Sequence, residues 1–299
     1  MAEHSHSMAA RRRNAQRPLL GRRGQRAVYL GFIFILVALV FVVFAGPFVY
    51  MILTSLKGSR EMFSRPVTLF PTQGFVWETY LEVWTSENFA LYFWNSVKVA
   101  AVTTAISVSV SVLAGLGFAR YEFPGRDKLM LVTLLSQLFP LVLLVMPYFV
   151  AMRSLNILDT HTALIISYTS FALPYSIWML TGYFRSIPPE LEEAAMIDGA
   201  TRLGAYLRVT LPLAAPGIVA TIIYSFILAW NEFLFATTFI SSRELQTLPQ
   251  GLHSFIGQYQ IQWNLLMAGS VVTTLPVVAL FVFLQKYLVA GITAGAVKN

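Results

Sequence analysis

A chain of 299 residues that is 57% hydrophobic and 12% charged has too little polar surface to enclose a soluble core of this size. Several of its apolar runs approach or exceed the roughly 20 residues that a helix needs to cross a bilayer. The net charge of +7 favours contact with anionic lipid over nucleic acid, because arginines crowd the segment before the first apolar run. The absence of cysteine excludes disulfides, thiolate metal sites and cysteine nucleophiles. We therefore predict an all-α polytopic membrane protein.

The chain starts with an arginine-rich segment, residues 1–26, which we predict to be a disordered cytoplasmic tail. Within it, Arg22-Arg23 is a twin-arginine pair of the kind that opens some export signals. The apolar run that follows, from about residue 27 to 56, is far longer than the apolar core of a signal peptide. We therefore expect this run to be retained as the first membrane helix.

Residues 27–299 are predicted to form one transmembrane domain with six spans. Serine and valine alternate over 107–112 as in a strand, but this fragment lies inside a long unbroken apolar run and does not predict a barrel. Four prolines are expected kink points where spans bend around a cavity: Pro140, Pro147, Pro174 and Pro276. The predicted spans are about 28–53, 91–118, 129–152, 163–183, 213–238 and 265–286.

The orientation of these spans follows from the distribution of lysine and arginine between the two sets of loops. With the N-terminus inside, the cytoplasmic segments hold fifteen of these residues and the outer loops hold five. An even number of spans returns the C-terminus to the same side. We therefore predict that both termini are cytoplasmic, in a multi-pass protein of a prokaryotic cell membrane.

The segment between the fourth and fifth spans, loop 186–212, is predicted to form a helix, a turn and a second helix on the cytoplasmic side. Pro189 and the glutamates after it suit a helix N-terminus, where proline needs no partner for a missing N–H and acids complement the helix dipole. Gly199 suits the turn, and Thr201 is placed to cap the next helix. Pro212 is expected to end that second helix before the fifth span begins.

A protein partner explains the composition of loop 186–212 better than the lipid surface does. Ala194 and Ala195 leave a small, flat face that permits close approach. Anionic lipid would repel the four carboxylates of the first helix and turn, which are Glu190, Glu192, Glu193 and Asp198.

The same loop resembles a known family motif: Glu-Ala-Ala, three residues, glycine, nine residues, isoleucine, one residue, Leu-Pro. Here Glu193-Ala194-Ala195, Gly199 and Leu211-Pro212 keep every spacing, and Val209 replaces the isoleucine. This pattern marks the permease subunits of ABC importers. Three further segments are similar to the maltose-type carbohydrate uptake branch, and within it to the smaller, six-helix permease of the pair: 118–125, 230–233 and 291–298.

The resemblance implies a type I ABC importer permease fold and transport of a sugar or oligosaccharide by alternating access. It implies a second permease subunit, two ATPase subunits and an extracytoplasmic solute-binding protein as partners. ATP and Mg²⁺ would be bound by the ATPase, and none of the eighteen glycines here precedes the lysine of a phosphate-binding loop. The residues that the resemblance assigns to ATPase coupling are Glu190, Glu193, Ala194, Ala195, Asp198, Gly199, Leu211 and Pro212.

Polar residues inside the predicted spans are candidates for the substrate pathway. Glu232 is the only acidic residue within a predicted span, where an ionisable group suggests a pathway, but a cap or pair at a helix end explains it equally well. A stripe of small residues from Thr103 to Ala119 favours close helix packing. The pathway candidates are Gln137, Tyr168, Ser170, Tyr224, Asn231 and Glu232.

Two alternatives remain open from sequence alone. An ion-coupled secondary transporter would usually carry several intramembrane acids and inverted repeats, whereas Asp127, Asp159 and Asp198 fall in loops and leave Glu232 alone. An ABC permease for a non-sugar solute such as glycerol 3-phosphate would share the same loop. We predict no catalytic residue, bound cofactor or metal site on this chain, and so expect that it is not an enzyme.

Overall fold

The computed structural model describes residues 22–296 except 65, 67, 87 and 258–260. The described part is helical, and its strand-like pairing is an isolated antiparallel bridge between Ile256 and Ile261. The fragment 107–112 lies inside a helix, so the all-α prediction is confirmed. Residues 1–21 of the predicted tail lie outside the described residues, as do 297–299 at the other end.

The described part of the chain divides into two compact units, with the boundary between Leu53 and Thr54. The described part of the first unit is helix α1, Arg22–Ser55, which continues two residues past the boundary. Its segment Tyr29–Ser55 is long and apolar enough to cross a membrane.

The second unit holds the other helices, connected by turns and short 3₁₀ segments. They are α2 Glu78–Thr85, α3 Phe89–Arg120, α4 Arg126–Leu135, α5 Leu141–Ser154, α6 His161–Ser186, α7 Glu190–Ile197, α8 Arg202–Ala205, α9 Leu211–Leu213, α10 Ala215–Trp230, α11 Leu234–Phe239, α12 Leu248–Ser254 and α13 Trp263–Ala296.

Two of the six predicted spans are not continuous helices. Arg126–Leu138 and Leu141–Ser154 meet at 101°, so the segment predicted at 129–152 is broken at Pro140. Proline donates no N–H and forces Phe139 into an extended conformation, which ends the first piece. The segment predicted at 213–238 follows a 72° bend and ends early, because α10 stops at Trp230.

The remaining candidate spans are α1, α3, α6 and α13, so the described residues hold four unbroken helices of sufficient length and up to six spans if each bent pair crosses once. Of the other predicted kink points, Pro147, Pro174 and Pro276 lie inside continuous helices.

Helices α3 and α6 pack closely along the predicted stripe of small residues. A Cβ on Gly115 would lie 3.0 Å from Cβ of Leu180, so glycine permits this approach. Thr103, Ser107 and Ser111 are fully buried on the same face. The stripe therefore serves helix packing, as predicted.

Two hydrophobic clusters lie at different levels of this helix pair. The larger one includes Tyr168 and Trp230 with the short helix α11, and the smaller one contains Leu180, Phe184, Ile187 and Ala214 beside loop 186–212. Each cluster supports one of the two candidate sites described below.

Candidate functional site

Loop 186–212 has the helix–turn–helix form that its sequence predicts. Helix α7 begins after Pro189 with three glutamates in its first turn. Gly199 adopts a φ of +94°, a left-handed conformation that glycine tolerates and other residues rarely adopt. The hydroxyl of Thr201 accepts a hydrogen bond from the Gly204 N–H at 3.1 Å and caps α8.

The second arm of the loop is less regular than predicted. Helix α8 is followed by a π-helical turn, Tyr206–Thr210, in which the Leu211 N–H bonds to the Tyr206 carbonyl five residues earlier. Pro212 has no N–H to continue an α-helical ladder, and α9 ends at Leu213 before the bend into α10.

Most of the predicted coupling residues are exposed on the loop. Two are partly buried: Ala195, and Leu211, which packs against the smaller hydrophobic cluster. Ile197, the last residue of α7, is 86% exposed. In the described part of the chain the carboxylates of Glu190, Glu193 and Asp198 form no ion pair. The exposed members are Glu190, Glu193, Ala194, Asp198, Gly199 and Pro212.

Glu192 differs from the other three carboxylates, because it is buried. The prediction that all four carboxylates are exposed to a partner is therefore wrong for Glu192. Its Oε1 accepts hydrogen bonds from Arg120 Nε at 2.8 Å and from the Thr210 hydroxyl at 2.7 Å. Arg120 also donates to the carbonyls of Phe184 at 2.8 Å and Ile187 at 3.0 Å. The pairing joins residues 72 positions apart, so no local pattern could have revealed it.

A cavity of about 840 Å³ lies between α5, α6 and the end of α10. Both interruptions of the predicted spans, at 136–139 and 231–233, contribute to its wall. Its lining residues are Ser136, Gln137, Phe139, Leu141, Leu144, Tyr148, Ser170, Phe171, Ile227, Leu228, Asn231, Glu232, Phe233 and Leu234.

Four of the six predicted pathway residues, Gln137, Ser170, Asn231 and Glu232, lie together in this cavity. Gln137 donates to the Phe171 carbonyl at 2.9 Å. The hydroxyl of Ser170 lies 2.7 Å from that of Tyr148, which the sequence did not single out.

Glu232 lines the cavity and also caps a helix. Its two carboxylate oxygens accept the N–H groups of Phe235 at 2.9 Å and Ala236 at 3.1 Å, in the first turn of α11. The hydroxyl of Tyr168 donates to Oε2 at 2.6 Å. Glu232 therefore fixes the break between α10 and α11 while one edge reaches the cavity.

The other two predicted pathway residues do not line the cavity. Tyr168 is 1% exposed and lies behind Glu232. Tyr224 packs against Tyr175, with ring centroids 4.6 Å apart.

A third carboxylate anchors a loop at the cavity end of α6. Asp159 accepts hydrogen bonds from the hydroxyl of Ser242 and from the N–H groups of Ser241 and Ser242. These bonds, the Ser242 hydroxyl foremost, stabilise the charged form and hold the pKa of Asp159 below its ordinary value of 3.8.

Comparison with known proteins identifies the family. The profile of the binding-protein-dependent transport system inner membrane component family matches residues 107–294, more than half of the chain. The sulfoquinovosyl glycerol transport system permease protein of Agrobacterium fabrum is 40% identical over 253 residues, which cover 85% of this chain and 88% of that protein.

The trehalose/maltose transport system permease protein of Thermococcus litoralis is 36% identical over 256 residues, 85% of this chain and 91% of that protein. Among solved structures, a chain of a bacterial ABC transporter involved in the import of the acidic polysaccharide alginate superposes with a TM-score of 0.74. That match covers 90% of this chain and 99% of the other at 20% identity, and it shows the shared fold. The chain therefore belongs to the family of binding-protein-dependent transport system inner membrane components, the permease subunits of ABC importers.

Proposed function

We propose that this permease forms one half of a pathway that imports a sugar or oligosaccharide, with a separate ATPase docked on loop 186–212. The observation that carries the proposal is the cavity between two broken spans, where four of the six predicted pathway residues meet. In a bilayer core, non-helical backbone is tolerated only where protein covers it or where it lines a water-filled space. The breaks therefore support a solute path at this place.

The lining of the cavity suits a neutral sugar. Its volume is in the range typical of small-molecule sites, and it combines aromatic rings with amide and hydroxyl groups. None of the fourteen lining residues is lysine or arginine. A phosphate ester such as glycerol 3-phosphate would therefore find no cationic side chain among them. The relative named for trehalose/maltose agrees with a neutral sugar cargo, whereas the relative named for sulfoquinovosyl glycerol is named for a sulfonated, anionic glycoside.

In this proposal, loop 186–212 is the surface through which ATP hydrolysis on another subunit is coupled to transport. Its exposed carboxylates and small residues form a surface for an ATPase subunit that binds ATP and Mg²⁺. A second permease subunit would complete the cavity, and an extracytoplasmic binding protein would deliver the sugar. Closing and opening of the ATPase pair would then alternate the access of the cavity between the two sides of the membrane.

The driving force is tested first by uptake in cells. The sugar that co-purifies with the binding protein is identified and used as a labelled substrate. Uptake should collapse when ATP is depleted and persist when an ionophore removes the ion gradient while ATP is maintained. The opposite result would establish the ion-coupled alternative.

Two variants then test the docking surface. Glu193→Lys reverses an exposed charge on α7, and Gly199→Trp forces a bulky residue into a positive-φ turn. Both should abolish most uptake with unchanged amounts of the chain in the membrane. Glu122→Lys, an exposed charge reversal in another loop, is the matched control and should retain uptake. Normal uptake in Glu193→Lys would refute the role of this surface.

A separate labelling experiment can establish the orientation of the chain in the membrane, because the chain has no native cysteine. In intact cells a membrane-impermeant maleimide should label E244C, in the loop before α12, and should leave I197C on α7 unlabelled. Labelling of I197C alone would place loop 186–212 outside the cell.

A further inference from the structure

Loop 186–212 is joined to the rest of the permease by a small polar cluster that we call the buried clamp. It consists of Arg120, Glu192 and Thr210 with the carbonyls of Phe184 and Ile187. The Arg120 and Glu192 side chains are only 9% and 8% exposed. The clamp therefore lies on the buried side of α7, beneath a surface pocket that Arg120 and Glu192 line together with the exposed Glu193.

Stability alone does not require a charged pair at this position. A buried ion pair must recover the cost of desolvation, and apolar residues of similar volume often stabilise a protein as well. A charged pair does provide fixed geometry, because the guanidinium is a rigid, planar fork whose donors point in set directions. In this chain each donor group has an acceptor: one on α7 and two at the C-terminal end of α6.

The clamp connects α3, α6, α7 and the second arm of the loop. Arg120 is the last residue of α3, and Phe184 belongs to the last turn of α6, where helix carbonyls lack intrahelical partners. Thr210 closes the second arm of the loop onto the same carboxylate oxygen. A displacement of α7 is therefore transmitted to the end of α3 by the Glu192–Arg120 hydrogen bond. It is transmitted to the end of α6 by the bonds from Arg120 to the carbonyls of Phe184 and Ile187.

One of these helices leads to the cavity. Ser170 and Phe171 of α6 line its wall, and they lie about four helical turns from Phe184, roughly 20 Å along the axis. Since α3 and α6 pack closely at Gly115, a shift at their common end is shared between them.

We propose that the buried clamp is the transmission element of this permease, and that Arg120, Glu192 and Thr210 are positioning residues that convert a push on α7 into movement of α3 and α6. The proposal rests on the proposed coupling function of loop 186–212. It assigns these three residues to neither the sugar nor the ATPase surface. Loss of the clamp should therefore separate ATP hydrolysis from transport while the subunits remain assembled.

The test uses the complete transporter in lipid vesicles with the sugar found on its binding protein. Glu192→Gln should raise the ATP hydrolysed per sugar imported at least fivefold, with unchanged ATPase co-purification. Hydrogen exchange of the α7 amides in the same complex should be at least tenfold faster than in wild type, with the middle of α3 unaffected. Thr210→Val keeps the ion pair and should give a smaller change in both quantities. Glu122→Gln is the matched exposed control.

A purely structural role would lower hydrolysis and uptake in proportion to the yield of complex, and that result would overturn the proposal. An unchanged ratio with faster α7 exchange would overturn it as well. If Glu192→Gln fails to assemble, an unchanged ratio in Thr210→Val would contradict the proposal. A wild-type complex without ATP-driven uptake would refute the proposed function instead, and the exchange data would still decide whether the clamp holds α7.

Discussion

Glu192 and Glu232 are buried near opposite ends of α6, and they are stabilised in different ways. Glu192, at the end beside loop 186–212, accepts hydrogen bonds from the guanidinium of Arg120 and the hydroxyl of Thr210. Glu232, beside the cavity, accepts hydrogen bonds from neutral groups: one tyrosine hydroxyl and two backbone N–H groups. An ion pair joins separate elements and fixes their geometry, whereas a set of neutral donors shapes one local turn.

This difference predicts different costs when a partner is removed. Deleting one member of a buried ion pair leaves an uncompensated charge. Deleting one neutral donor leaves a carboxylate that still has two hydrogen bonds, which is a smaller loss.

The largest effect is expected for Arg120→Leu. It leaves Glu192 without its cation and removes the donors to Phe184 and Ile187, at a cost of about 3–5 kcal/mol. Thermal inactivation of the purified complex measures the effect. Arg185→Leu is the matched control, since the Arg185 side chain is 47% exposed and should cost far less. Equal losses in the two variants would contradict the assigned burial of the Arg120–Glu192 pair.

A smaller effect is expected at the other end of α6. Tyr168→Phe removes one of three donors to Glu232 and should cost about 1–3 kcal/mol. Glu232→Gln leaves one acceptor oxygen instead of two and should destabilise the start of α11 by a similar free energy. Binding-protein-stimulated sugar uptake should show a weaker apparent affinity in both variants, because the break at 231–233 forms part of the cavity wall.

Glu244→Gln, at an exposed position on the loop before α12, should show neither effect. If Tyr168→Phe proved as damaging as Arg120→Leu, the distinction between the two carboxylates would be lost.

The smallest effect concerns Asp159, which is only partly buried. Because hydrogen bonds lower its folded-state pKa, its contribution to stability is present above its ordinary pKa of 3.8 and is lost as the pH falls through the lower, folded value. Proteolysis of the loop around Ser242 should accelerate in that acidic range. In Asp159→Asn the loop should be cleaved faster at neutral pH, with the acid-dependent component removed. An unchanged pH profile in the variant would show that Asp159 does not hold the loop.

Local signals allowed much of loop 186–212 to be predicted. The Gly199 turn and the Thr201 cap depend on residues within a few positions of each other, and both are present. The buried clamp was not predicted, because Arg120 and Glu192 meet only after α3 and α6 have packed.

The cavity also combines features that local sequence predicts with features that depend on tertiary packing. Pro140 marked one break of the wall in the sequence, since proline interrupts a helix by its own chemistry. The break at 231–233 has no proline or glycine. A sequence signal was nevertheless present: an acid three residues before the N–H that it accepts, as at other helix N-termini. Tyr168 was placed in the pathway because the sequence does not reveal that a neighbouring carboxylate covers it.

The most direct test of the central claim is transport by vesicles that contain the complete complex, with the binding protein and its sugar on the side opposite to loop 186–212. We expect uptake when ATP and Mg²⁺ are supplied on the side of that loop, in the absence of any ion gradient. We expect no uptake when ATP is replaced by an imposed proton or sodium gradient. Gradient-driven uptake without ATP would contradict the proposed ATP-driven mechanism.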